Sequence, residues 1–157
     1  MPDLMLALDA STTAVGWCLG WTDGDYSSSG VWCPPGKDWV DRVANVEAWL
    51  WDQFESVDFE FLAFEVATGN RRNMATNRKL GAVEYVIRHA CTVFNAPCID
   101  VVASQVRATG CHKRALRVAR GIKGEALDER CAGDEADAMG VFLAALKKMR
   151  EEQWETL

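Results

Sequence analysis

The stretch Leu4-Met5-Leu6-Ala7-Leu8-Asp9-Ala10-Ser11-Thr12-Thr13 decides the fold. An apolar run from Leu4 to Leu8 ends in a carboxylate, Asp9, and passes straight into a Ser/Thr-rich turn. A run this short, stopped by turn chemistry, predicts a buried strand rather than a helix. Ala14 to Trp21 and Tyr26 to Cys33 read as the next two strands. Asp23-Gly24-Asp25 lies between them, and an Asp-Gly pair tolerates the positive φ of a tight antiparallel turn, so a hairpin is expected. Pro34-Pro35-Gly36 closes it.

Working outward, Asp38 to Glu55 has apolar residues at Trp39, Val43, Val46, Leu50 and Phe54, which is helical spacing. Phe59 to Glu65 is a fourth strand and, like the first, an apolar run ending in an acid. Ala67 to Asn73 reads as a polar loop. Leu80, Val83, Ile87, Cys91 and Phe94 then mark a second amphipathic helix from about Arg78 onward, and Cys98 to Val102 a fifth strand. Ser104 to Gly124 reads as basic and irregular, with a helical piece around Lys113 to Arg120. Asp134 to Arg150 is the last helix. A strand meander followed by alternating helices and strands predicts an α/β fold: a five-stranded mixed sheet with helices on both faces. No linker divides the chain, so residues 1–157 are expected to form a single domain.

The length of 157 residues and a 49% hydrophobic share suffice for one buried core. No segment approaches the ~18 consecutive apolar residues of a membrane span. The acidic start Met1-Pro2-Asp3, with Asp9 interrupting the apolar stretch, predicts no secretory leader and a cytoplasmic location. Cys18, Cys33, Cys91, Cys98, Cys111 and Cys131 form no C-x-x-C pair, and His89 and His112 add no finger-like spacing. These cysteines read as reduced thiols, several in core positions, rather than a zinc site.

The charge is unevenly spread. Residues 1–65 carry a net −10, residues 66–124 a net +9 and residues 125–157 a net −5, within an overall −6. A basic block inside an acidic chain is what a polyanion-binding face beside acidic chemistry needs. The other reading of such a block is a solvated surface that compensates acidic neighbours.

Asp9 and Glu65 both end apolar strands, where α/β sheets bind ligands. Asp134 and Asp137, three apart, share one face of the last helix. Taken singly, each acid also fits an ordinary turn or helix cap. Packed together, anionic carboxylates repel, and hard oxygen donors of this kind select Mg²⁺ or Mn²⁺.

The blocks Leu6–Cys18 (L-A-L-D-A-S-T-T-A-V-G-W-C), Phe64–Arg72 (F-E-V-A-T-G-N-R-R) and Lys79–Ala82 (K-L-G-A) carry a family resemblance. Ser104–Arg107 (S-Q-V-R), Gly110–Lys113 and Asp134–Ala138 (D-E-A-D-A) extend it. In this order they resemble the RuvC-type Holliday junction resolvases, particularly the short bacteriophage versions, over nearly the whole chain. The resemblance implies an RNase H-like fold, a homodimer, and Mg²⁺-dependent paired nicking of four-way DNA junctions. It also implies that Asp9, Glu65, Asp134 and Asp137 are catalytic acids that bind two Mg²⁺ ions, for which Mn²⁺ substitutes. By the same resemblance Arg107 and Lys113 stand near the scissile phosphate, with Lys113 assisting there. Arg71 and Arg72 read either as contacts to junction phosphates or as solvated loop charge, and Arg78, Arg114 and Arg117 complete the DNA contacts expected of the basic block. The helix from about Arg78 to Phe94 would form much of the dimer interface, although its apolar stripe also reads as plain core. Bacterial members carry an aromatic residue three positions after the second acid. Thr68 stands there, so stacking at the junction centre is not implied for this chain.

Three other readings stay open beside this one. A sugar-kinase or actin-like phosphate site also begins with an Asp-led strand and a Ser/Thr turn, but it needs a second domain for which 157 residues leave no room. An RNase H-like nuclease could act on forks, flaps or RNA hybrids. A junction-binding module without catalysis is the non-enzyme alternative.

Overall fold

The computed structural model describes residues 1–66, 73–111 and 132–155. Its elements are β1 (Leu4–Ala10), β2 (Val15–Trp21), β3 (Tyr26–Trp32), α1 (Trp39–Ser56), β4 (Phe61–Glu65), α2 (Met74–Val93), β5 (Cys98–Val101), α3 (Ala103–Ala108) and α4 (Ala132–Glu155). They form a five-stranded sheet in the order β3-β2-β1-β4-β5. β1, β2 and β3 pair antiparallel, while β1–β4 and β4–β5 are parallel. The expected hairpin is present: Gly24 takes φ 104°, and the Trp21 N–H donates to the Asp25 carbonyl at 2.8 Å.

The period-two alternation of strands divides the sheet into two faces. Leu6, Leu8, Val15, Leu62 and Phe64 face the layer built from α1 and α2, where Val46, Leu50, Val83, Ile87 and Ala90 are buried. Met5, Ala7, Cys18 and Ala63 face the other layer, formed by α4 with Val106 of α3. A fully buried Val or Leu contributes roughly 1.5–3 kcal/mol, so both layers stabilise the sheet substantially. From Ala136 to Leu146, α4 buries most of its circumference, because the sheet lies on one side and α3 on another.

Helix boundaries follow local caps. The Asp38 carboxylate accepts the Asp41 N–H at 2.9 Å and starts α1. The Asn73 side chain accepts the Thr76 N–H at 3.1 Å and starts α2. α2 therefore begins several residues before the expected Arg78; Met74 and Ala75 are exposed and give no apolar stripe to read. Part of the stretch expected to be irregular is helical: α3 spans Ala103–Ala108, with the Val102 N–H donating to the Gln105 side chain at 2.9 Å. The helical piece expected around Lys113 to Arg120 lies outside the described residues. The last helix runs from Ala132 to Glu155, beyond both ends of the expected span.

Candidate active site

The parallel register Leu8↔Phe64 places Asp9 and Glu65, one residue further on, side by side at the ends of the two central strands. Alternation puts both on the face of Met5, Ala7 and Ala63, the face that α4 covers.

Glycines on β2 fix how α4 approaches. A Cβ at Gly16 would stand 2.0 Å from the Asp134 carbonyl oxygen, and one at Gly20 would stand 2.5 Å from the Phe142 ring. Gly16 is the register partner of Asp9. The first turn of α4 is thus seated main chain against main chain beside Asp9, and it carries Asp134 and Asp137. Its other anchor is Glu135, only 4% exposed, whose Oε1 accepts a hydrogen bond from the Ser29 hydroxyl on β3. The Tyr26 and Ser29 hydroxyls are hydrogen-bonded at 2.9 Å. Glu135 Oε2 has no hydrogen-bond partner among the described residues. In the sequence Glu135 reads as a first-turn acid favouring the helix dipole, within D-E-A-D-A; its burial against Ser29 is not legible there. Gly16 and Gly20, four apart on one face of β2, are the available signal for a close helix seat.

Asp9 feels the charges of three other acids. Asp9 is pushed up to about 8, first by burial and then by the charges of Asp137, Asp134 and Glu65. A hydrogen bond between Asp9 and Asp134 raises Asp9 further and lowers Asp134, as expected when Asp9 carries the proton and Asp134 accepts it. Burial outweighs that effect at Asp134, whose carboxyl also stands above its ordinary value. Glu65 is raised by burial and then by Asp137, while Arg107 on α3 pulls it down. A cleft opens beside the cluster, lined by Asp9, Glu65, Leu80, Val83, Glu84 and Ile87.

A second charged group joins α2 to β5 and α4. Arg88 Nη2 meets Glu84 Oε1 at 3.1 Å and Asp100 Oδ2 at 3.3 Å, and Lys148 Nζ meets Asp100 Oδ1 at 3.0 Å. The Lys148 hydrogen bond is the main reason Asp100 sits below the ordinary carboxylate range, with Arg88 adding to it.

Of the basic residues singled out in the sequence, Arg107 acts directly on the acid cluster, and Arg78 lies exposed on α2, two residues before the cleft-lining Leu80. Arg71, Arg72, Lys113, Arg114 and Arg117, and also Thr68, lie outside the described residues.

Whether a metal fits can be judged from the donors. Their chemistry suits a hard divalent cation: carboxylate oxygens, mutually repelling and partly desolvated. Among the described residues, however, no three His, Cys, Asp or Glu side chains converge as a ready ligand set. Among those residues, too, no helix is long and apolar enough to cross a membrane.

Neither a family model nor a curated protein sequence matches the chain. Solved structures do. Thermus thermophilus RuvC in complex with a Holliday junction substrate superposes with a TM-score of 0.76 at 17% identity, over 94% of this chain and 96% of that one. The T. thermophilus RuvC structure gives 0.71 at 16% identity over the same shares. The yeast mitochondrial Holliday junction resolvase Ydc2 gives 0.59 at 13% identity, over 98% of this chain and 84% of the other. At these identities the likeness shows the architecture: a five-stranded mixed sheet flanked by helices, in the RNase H-like fold that these resolvases share.

Proposed function

We propose that this chain is a structure-selective endodeoxyribonuclease, a single RNase H-like domain that resolves four-way DNA junctions by paired, symmetric nicks. One observation carries the reading: Asp9, Glu65, Asp134 and Asp137, from three separate elements, act on one another's ionisation at a single place. Buried like charges cost stability unless a cation or a proton offsets them. A chain that keeps two of them on a cleft, with two more acting on Asp9, is read as holding them for a ligand of opposite sign. The sequence blocks and the shared fold support reading it as a site for phosphodiester hydrolysis.

In this reading Asp9, Glu65, Asp134 and Asp137 hold two Mg²⁺ ions, or Mn²⁺ in their place. When bound, the ions supply Lewis-acid stabilisation of the phosphoryl oxygens and a water acidic enough to attack phosphorus, leaving 5′-phosphate ends. The protein's own residues do the rest. Asp9 gives up the proton it shares with Asp134, so that both carboxylates are free to coordinate. Arg107, and Lys113 in the basic segment, offset the negative charge that grows on the phosphoryl group. Arg71, Arg72, Arg78, Arg114 and Arg117 bind backbone phosphates, so affinity falls steeply with salt. Two copies paired through α2 would present two such sites to symmetry-related strands of one junction.

The test is digestion of an end-labelled four-way junction with Mg²⁺, beside a fork, a flap and an RNA–DNA hybrid of the same arms. Symmetric paired nicks in the junction, with the other substrates cut at least tenfold more slowly, are expected. Equal cutting of the fork or the hybrid would remove junction selectivity and leave a general RNase H-like nuclease. Binding without cutting at any Mg²⁺ concentration would leave a junction-binding module.

A further inference from the structure

The turn joining α2 to β5 carries chemistry that the acid cluster does not use. Cys91 lies in the last turn of α2 and Cys98 opens β5. Between them the chain doubles back: Asn95 takes φ 53°, and the Ala96 N–H donates to the Cys91 carbonyl at 2.9 Å. This reversal brings the two side chains together, and their thiols are hydrogen-bonded to each other. Cys91 is buried and Cys98 partly exposed, both are free thiols, and both line an open cleft with Arg88. Arg88 stands one helical turn before Cys91, and its charge acts on both sulfurs.

The pair is asymmetric. The hydrogen bond from Cys91, with help from Arg88, holds the Cys98 thiol below its ordinary range despite burial and the opposing charges of Asp100 and Glu84. The same hydrogen bond and burial push Cys91 up. An accessible, acidified thiol backed by a buried second thiol is the arrangement of an attacking and a resolving cysteine. The remaining described cysteines lack it: Cys18 and Cys111 are buried, and Cys33 is exposed.

We propose that Cys91 and Cys98 form an oxidisable thiol pair, converted to an intramolecular disulfide by a hydroperoxide. The Cys98 thiolate attacks one peroxide oxygen; an S–O bond forms, the O–O bond breaks, and the departing oxygen leaves as an alcohol or water after taking up a proton. Cys91 then loses its proton, and its sulfur attacks Cys98 Sγ; the S–S bond forms, the S–O bond breaks, and water leaves. Two thiols lose two electrons between them, and the hydroperoxide gains them. The bridge fastens the end of α2 to the start of β5. It stands independently of the nuclease reading.

The experiment uses the full chain carrying Cys33→Ser, which suppresses cross-linking between molecules. The folded protein is exposed to hydrogen peroxide, alkylated and mapped by mass spectrometry, beside the same chain in urea. A Cys91–Cys98 bridge forming at least tenfold faster in the folded chain than in urea is expected, and Arg88→Gln should slow it several-fold. In a Cys91→Ser chain, a sulfenic acid should be trapped at Cys98 by dimedone. Bridging no faster than in urea overturns the proposal. So does alkylation of both cysteines after exposure that oxidises the other thiols.

Discussion

Two groups of carboxylates at the ends of this sheet have opposite fates. Asp100 is met by Lys148 and by Arg88, which also holds Glu84, and its carboxyl is correspondingly acidic. Asp9 is met by three more acids, with Arg107 acting on Glu65, and it holds its proton to about pH 8. The same fold neutralises one group and concentrates repulsion in the other. On the proposed reading, a bound cation offsets the negative charge that gathers at Asp9 and its neighbours.

The largest expected effect tests that reading directly. Asp9→Asn should lower junction cleavage by about 10³-fold or more, while junction affinity measured without divalent metal stays within about twofold. Near wild-type cutting would show that the repelling cluster is not where the chemistry occurs.

Gly16→Ala comes next. The new methyl group would meet the Asp134 carbonyl, which is backbone and cannot rotate away, so α4 must lift from β2. A loss of about 2–3 kcal/mol in denaturant unfolding is expected, together with weaker Mn²⁺ binding by calorimetry. Unchanged stability would show that the helix seat is loose.

The third prediction concerns pH. Because the folded state raises Asp9, it binds that proton more tightly than the unfolded chain does, and the metal-free protein loses stability from this group as pH rises from about 4 to about 8. At pH 8 without divalent metal, Asp9→Asn should therefore be more stable than the wild type, by on the order of 2 kcal/mol. Millimolar Mg²⁺ should raise the melting temperature of the wild type and not of the variant. A variant less stable than its parent under these conditions would mean that the repulsion is already relieved within the chain.

The smallest effect belongs to the paired group. Asp100→Asn should cost under about 1 kcal/mol, because the pair is substantially exposed, and salt should shrink the difference. Its sign is opposite to that of Asp9. The folded state lowers Asp100, so its contribution is present at neutral pH and fades as pH falls through the folded value, below the usual carboxylate range.

The parts of the molecule legible in the sequence are those where local chemistry and burial agree. The apolar runs closed by Asp9 and Glu65, the Asp-Gly turn and the periodic stripe of α1 each read directly as the elements they form. α3 was not legible, because six residues with only Val106 buried give no period and Val102 is no cap residue by type; the cap comes from Gln105 reaching back. The start of α2 was missed for a related reason, since its first turn is exposed. Within the candidate site, the four acids were legible as types and spacings. What could not be read was the contact that assembles them, because the seat at Gly16 is the absence of a side chain and the burial of Glu135 depends on Ser29, 106 positions away.

That seat has a consequence for how such a protein can drift. When a helix rests on a strand through side chains, each change of volume in the core moves the helix a little and whatever it carries. Here the clearance under the first turn of α4 is set by bare backbone at Gly16, so a change of core side chain further along the helix acts less directly on the offset between Asp134 and the sheet. Among sequences too diverged to align, two glycines four apart on the second strand would then betray the same architecture when little else does.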